Sequence, residues 1–278
     1  MAEEIHKTWN DVADHWNNWG PPLRPGSEDL LIMRGNLVRW LEKNPVETLR
    51  VFLCGVTPEI VTMAWPCPIE LTAMDQSQRM IDCVWPGDIP GVRRAMVGNW
   101  LTPGLASGSQ DLVLNDGGFG FFDHPDGLRC LLASIRSLIK PGGLFIGRNF
   151  VQVEPREPLR EVLDAARSGQ IGSFHSFKWR LAMSLQPNVV EGVRQHDIWQ
   201  AWAETDIDPT QLPQPGWSER SVSTIEFYRD QPAILRFPTL NEFCTLLAES
   251  FDEVEVRYAS YELSDRCPIL TARPKPNC

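Results

Sequence analysis

Between residues 8 and 19 the apolar side chains Trp9, Val12, Ala13, Trp16 and Trp19 recur at intervals of three and four, one face of a helix, and the stripe stops at Gly20-Pro21-Pro22. A second helix is predicted within 23–41. It opens near Ser27, where a capping residue followed by Glu28 and Asp29 suits the positive end of a helix. From Leu49 short apolar runs bounded by turn residues alternate with helical patterns. Strands are predicted at Leu49–Cys54, 69–74, 95–97 and 111–114, then a helix over 127–139 closed by Pro141-Gly142-Gly143, then a fifth strand over 144–151. Such alternation predicts a mostly parallel sheet covered on both faces.

Residues 152–236 break the rhythm. They are richer in Pro, Gln and Trp, with helical stretches near 158–167, 174–184 and 196–203. Thr239 with Glu242 then forms a capping box that opens a helix to about residue 251, followed by strand patterns at 253–261 and 269–273. The gap between those last two runs is too short for a parallel crossover, so they are expected to form an antiparallel hairpin. The predicted fold class is α/β: a doubly wound, mostly parallel seven-stranded sheet with a final antiparallel hairpin, N-terminal helices, and a helical insertion before the sixth strand. Four segments follow: an N-terminal helical cap (1–48), a sheet core (49–151), an insertion forming a lid (152–236) and the completion of the sheet (237–278).

With 278 residues, 42% apolar and 22% charged, the chain has an ordinary globular composition, which argues against disorder, collagen-like sequence and a membrane bundle. The net charge of −10 is spread as −4 over 1–150, −3 over 151–236 and −3 over 237–278. No basic stripe forms, so nucleic acid is not an expected partner. Seven cysteines without a C-x-x-C pair read as reduced thiols, and neither a secretory leader nor a spanning stretch is seen, so a cytoplasmic location is expected, with no membrane partner. The oligomeric state is left open.

The first strand runs into Gly55-Val56-Thr57-Pro58-Glu59-Ile60. Gly55 permits a tight turn, Thr57 can cap a helix and Pro58 suits its first position, which puts a helix N-terminus at the carboxyl edge of the sheet. Open α/β folds bind ligands there. Asp75 ends the second strand twenty residues past Gly55, the place of a carboxylate that holds a ribose diol. Nicotinamide dinucleotides and S-adenosylmethionine share this arrangement. A dinucleotide pyrophosphate needs G-x-G-x-x-G, whereas here one glycine is followed by the carboxylate of Glu59, which suits a ligand bearing an amino group and a sulfonium.

Further short motifs follow in order: Arg24-Pro25-Gly26-Ser27-Glu28-Asp29, Cys54-Gly55-Val56-Thr57-Pro58-Glu59, Asp75-Gln76-Ser77-Gln78-Arg79-Met80-Ile81, Trp85-Pro86-Gly87, Gly98-Asn99-Trp100, Asp116-Gly117 and Pro141-Gly142-Gly143. In content and order the chain resembles the class I, Rossmann-like S-adenosylmethionine-dependent methyltransferases of small-molecule type, over 8–151 and 237–274. The resemblance implies S-adenosyl-L-methionine as cofactor. Gly55 and Val56 would face its methionine part, Thr57 belongs to the same implied set, and Asp75 would hold the ribose hydroxyls. Gln76 and Met80 would flank the adenine, with Asn99 and Trp100 along its edge. Asp116 and Gly117 would lie beside the sulfonium and amino group, and Trp19 and Arg24 belong to the same implied set. Asn99 departs from the pattern, since an Asp is usual there, although an amide can still accept from the adenine amino group. Asn115-Asp116 shares its first residue with the N-P-P-Y turn of amino-methylating enzymes but lacks the Pro-Pro-Tyr.

The activity implied is methyl transfer to an O, N or C nucleophile of a small molecule by in-line displacement. Alternatives are an inactive S-adenosylmethionine-binding protein, or another reaction of the fold such as aminopropyl transfer or cyclisation. The expected pocket walls are the amino-terminal helix and the insertion, which carries Trp179, Trp199, Trp202 and Trp217 with Phe174, Phe177, Phe227 and Tyr228; most of these are expected to form the insertion's own core. For a base, His124 is the first candidate, then His175 and His15. No metal site is expected, because the histidines and cysteines lack ligand spacing.

Overall fold

The computed structural model describes residue 9 and residues 12–213 and 216–276. Among the described residues there are nine strands: β1 (Leu49–Cys54), β2 (Ile69–Asp75), β3 (Arg93–Val97), β4 (Gln110–Asp116), β5 (Ile139–Arg148), β6 (Val193–Arg194), β7 (Ile234–Leu235), β8 (Phe251–Arg257) and β9 (Ile269–Pro274). Seven of them form one sheet in the order β3-β2-β1-β4-β5-β9-β8, while β6 and β7 make a separate short hairpin. β1 to β5 pair in parallel, and β9 runs antiparallel to both β5 and β8. The order turns outward in two directions from between β1 and β4, which opens a crevice at their carboxyl ends.

Side chains alternate across each strand, so one strand feeds two cores. Val51 and Leu53 of β1 meet Met33, Leu37 and Trp40 of α1 (Ser27–Lys43), whereas Phe52 joins the opposite layer. There it packs with α4 (Asp126–Leu138) through Leu131 and Ile135, and with α9 (Leu240–Ser250) through Phe243 and Leu247. Between α1 and α4 lie the single turn α2 (Pro58–Val61) and α3 (Gln78–Val84). The insertion holds α5 (Leu159–Arg167), α6 (Phe174–Leu185), α7 (Gln195–Ala203), the turn α8 (Glu219–Val222) and the β6/β7 hairpin. It buries a core of its own: Phe174, Phe177, Trp202 and Trp217 pack mostly edge to face or tilted, with centroids 4.8 to 6.2 Å apart.

Several predicted boundaries move, each for a physical reason. Pro141-Gly142-Gly143 does not close the helix but sits inside β5, which already pairs at Ile139 with Gln110 before a register shift at Leu112. Gly143 makes that bulge possible, since a Cβ there would stand 2.8 Å from the Asp111 carbonyl. β5 leaves the sheet at Arg148 and β8 ends at Arg257, so Val151 and Tyr261 lie in loops. In the predicted first helix, 12–14 are helical and Trp16–Asn18 form a 3-10 turn; residues 8, 10 and 11 fall outside the described ones. Gly26, not Ser27, takes the cap position of α1, its N–H donating to Asp29 Oδ2 at 2.8 Å. No described helix is long and apolar enough to cross a membrane.

Candidate functional site

Above the carboxyl ends of β1 to β4 opens a cavity of about 440 Å³. The turn after β1 supplies Gly55, Val56 and Thr57 to its wall. Gly55 has φ of +97°, a conformation glycine adopts without a Cβ penalty, and its N–H donates to the Met74 carbonyl at 2.8 Å. Thr57 stands at the cap position with Pro58 first in α2, yet its side chain makes no capping bond and α2 is one turn long. Asp75 lies at the tip of β2 with Oδ1 accepting from the Ser77 N–H at 2.8 Å. Burial raises its pKa to about 6, against the partial relief of backbone hydrogen bonds from Ser77 and Gln76. Ser77 caps α3, its Oγ accepting from the Met80 N–H at 3.1 Å, and so brings Gln76 and Met80 to the same wall.

Asn99 and Trp100 follow β3 into the cavity. The Leu101 N–H donates to Asn99 Oδ1 at 2.9 Å, and Trp100 is pinned at both ends: its indole N–H donates to the Met74 carbonyl at 2.7 Å and its own carbonyl accepts from Ser134 Oγ at 2.7 Å. A Cβ on Gly118 would lie 2.7 Å from the Trp100 ring, so this close approach requires glycine. At the tip of β4, Asp116 and Gly117 border the cavity, and the amino-terminal segment adds Trp19 and Arg24. Twelve residues, spread from position 19 to 117 and singled out by motif alone, thus share one chamber.

No protein-family model matches the sequence, and no curated protein matches it. Solved structures match over nearly its whole length. A Rhodobacter sphaeroides protein described as a Zn-dependent alcohol dehydrogenase is similar with a TM-score of 0.62 at 14% identity, over 98% of this chain and 99% of its own. The 1,6-didemethyltoxoflavin-N1-methyltransferase of Burkholderia thailandensis, solved with its heterocycle and S-adenosylhomocysteine, gives 0.51 at 14% identity over 99% and 87%. The N-methyltransferase NodS of Bradyrhizobium japonicum WM9, in complex with S-adenosylhomocysteine, gives 0.50 at 12% over 97% and 100%. The chain has the fold of the class I S-adenosylmethionine-dependent methyltransferases. Among the described residues no three His, Cys, Asp or Glu side chains stand together as metal ligands would.

Within this methyltransferase fold two charges are arranged otherwise than the sequence suggested. Glu59 does not line the chamber; its carboxylate accepts from Arg24 Nε at 2.6 Å, because the adjoining amino-terminal segment places a guanidinium over it. Arg24 also donates to the carbonyls of Trp16 and Trp19. Asp116 is no free anion, since Oδ1 accepts from Nε of Arg148 at 2.6 Å. Arg148, 1% exposed, is held by Asp116, by the Pro22 carbonyl at 2.7 Å and by the Tyr261 hydroxyl at 3.3 Å, and that hydroxyl donates onward to Asp29. The signal for this missed residue was an arginine at the end of an apolar strand, which must find anionic partners when buried.

The three histidines are not brought into the chamber. His124 lines a neighbouring space of about 10 Å³ behind Phe122 and Phe150, and burial lowers its pKa. His175 is buried in α6, stacked parallel to Trp19 with centroids 6.1 Å apart, and its Nε2 meets the Asn18 carbonyl at 3.1 Å; burial and the nearby Lys178 take its pKa down to about 3. His15 packs on Phe227. Of the insertion's aromatic residues only Trp179 and Tyr228 reach the chamber. Phe121, Phe150 and Gln195 also line it and were not foreseen; the first two follow β4 and β5, and Gln195 arrives with the insertion.

Proposed function

We propose that the protein transfers a methyl group from S-adenosylmethionine to an oxygen, nitrogen or carbon nucleophile of a small molecule by in-line displacement. Asp75 carries this reading. It is a nearly buried carboxylate at the tip of β2, bonded only to backbone N–H groups and without an ion pair among the described residues, so its oxygens have capacity left for a pair of sugar hydroxyls. The rest of the wall fits the same ligand. Met80 and Gln76 flank the position of the base, and Asn99 and Trp100 border its edge. Gly55 and Gly117, both at positive φ, let the backbone approach the methionine part, with Val56, Thr57, Trp19 and Arg24 enclosing that end.

When bound, the cofactor supplies a sulfonium whose methyl carbon is open to displacement. The chain supplies orientation and a chamber walled by Trp16, Trp179 and Tyr228, which keeps water from the reacting atoms. None of the described histidines borders that chamber, so the reading rests on positioning rather than on a histidine base. The free cysteines described fit a reducing compartment, and we place the activity in the cytoplasm.

Calorimetry tests the cofactor half. S-adenosylmethionine and S-adenosylhomocysteine should both bind, NAD should not, and Asp75→Ala should weaken binding by about 1–3 kcal/mol. Unchanged affinity in that variant would place the ribose elsewhere. Release of S-adenosylhomocysteine during an acceptor screen separates an enzyme from a protein that only binds.

A further inference from the structure

We propose that the methyl acceptor is a flat, uncharged aromatic or heteroaromatic molecule. This rests on the methyltransferase reading above and concerns the part of the chamber that the strand-end residues leave over. That remainder is built mainly from rings: Trp9, Trp16, Phe121, Phe150, Trp179 and Tyr228. Aromatic walls favour a planar guest, because stacked and edge-to-face contacts add to the burial of its area. Phe150 and Trp179 already meet each other edge to face at 5.2 Å.

The charges of the described lining residues favour neither sign. Among the described lining residues the one cation is Arg24, and it is committed to Glu59. An acceptor carrying a carboxylate or phosphate therefore meets no unpaired positive group, and burying an uncompensated anion is costly. The lining carboxylates are engaged as well: Asp116 with Arg148, Asp123 with Arg236 at 2.7 Å, and Asp75 with the ribose in the proposed complex. A cationic acceptor would have only ring faces to turn to. Lys178 has taken up that potential at two of them, its Nζ lying 3.8 Å from the Trp19 ring centroid and 4.9 Å from that of Tyr228, with Thr224 Oγ1 as its hydrogen-bond partner at 2.9 Å. Lys178 is itself fully buried and outside the chamber wall, so its N–H groups already turn their positive ends to these rings.

Three near-isosteric probes that differ in charge test this in the full-length protein saturated with S-adenosylhomocysteine: indole-3-acetamide, indole-3-acetate and tryptamine, each titrated by calorimetry. The neutral amide should bind at least tenfold more tightly than the anion or the amine. Trp179→Leu and Phe150→Leu should each weaken it fivefold or more, with S-adenosylhomocysteine binding as the check that each variant is folded. An anion or amine that binds as tightly as the amide, or amide binding unmoved by both substitutions, would overturn the proposal. If S-adenosylhomocysteine itself does not bind, it is the cofactor reading that fails; the same series on the ligand-free protein then still ranks the three charges.

Discussion

At the scale of single residues, Asp75 and His175 are both displaced by burial, with opposite consequences. The Asp75 carboxyl holds its proton up to about pH 6 in the folded chain, against 3.8 for a free aspartate. Its contribution is therefore most favourable to folding below pH 3.8 and declines as pH rises through the interval to 6. A ribose diol donates to the anion, so cofactor binding should expel that proton. Affinity should fall by up to about tenfold per pH unit below pH 6, with a binding enthalpy that depends on the buffer's own ionisation. Asp75→Asn should flatten the profile, and a wild-type affinity level from pH 5 to 7 would contradict the assignment. His175 is displaced downward, to about 3 from 6.5. Between those values the unfolded chain binds a proton that the folded chain refuses, so stability drops as pH falls through that window. His175→Asn should lose less of its urea midpoint between pH 7 and 4.5 than wild type does. Most of the motif residues were legible because they follow a strand tip, with Trp19 and Arg24 of the amino-terminal segment the exceptions, whereas the histidines were not, because a histidine's burial is decided by segments far away in sequence.

At the scale of elements, β5 shows where sequence reading fails and why. Its apolar run is plain, yet Pro141-Gly142-Gly143 has the composition of a helix stop, and only the pairing of Ile139 with Gln110 makes it a bulge instead. β1 and β2 were read to within a residue, since both are mainly apolar runs, interrupted by Arg50 in one and by Glu70 and Thr72 in the other, that end at Gly55 and Asp75. The end of β5 carries the larger lesson. Arg148 joins β4 through Asp116, the segment before α1 through Pro22, and the loop after β8 through Tyr261, so one side chain ties together three parts of the chain. Burial, with a smaller push from Asp116, raises the Asp29 carboxyl, opposed first by the Arg148 guanidinium and then by the hydrogen bonds from Gly26 and Tyr261. Arg148→Met would leave Asp116 and Asp29 buried without a cation, which should cost about 3–5 kcal/mol of unfolding free energy. The exposed pair of Arg129 with Glu249 is the control: Arg129→Met should cost no more than about 1 kcal/mol. Similar denaturant midpoints for the two variants would show that the buried cluster is not a keystone.

At the scale of the whole molecule, the chamber lies where separately built cores meet. Two cores flank the sheet, and a third belongs to the insertion but also takes in Val12 and Trp19 from the amino-terminal segment and Leu263 from the loop before β9. A ligand filling the chamber would meet the sheet at Asp75 and Asp116, the amino-terminal segment at Trp16 and Trp19, and the insertion at Trp179 and Tyr228, which all line it. Opening of any of these releases it. A ligand at one hundred times its dissociation constant adds about 2.7 kcal/mol to every opening that destroys its site and nothing to openings that leave the site intact. Hydrogen exchange should therefore slow up to about a hundredfold for amides in 12–24 when S-adenosylhomocysteine is added, since local opening of that segment removes a wall. Amides of α5, which contributes no residue to the chamber, should keep their rates wherever they exchange by local fraying. Equal slowing in α5 and in 12–24 would mean that the amino-terminal wall opens only when the whole molecule does. Exchange in 12–24 untouched by ligand would mean that the segment does not enclose the bound nucleoside.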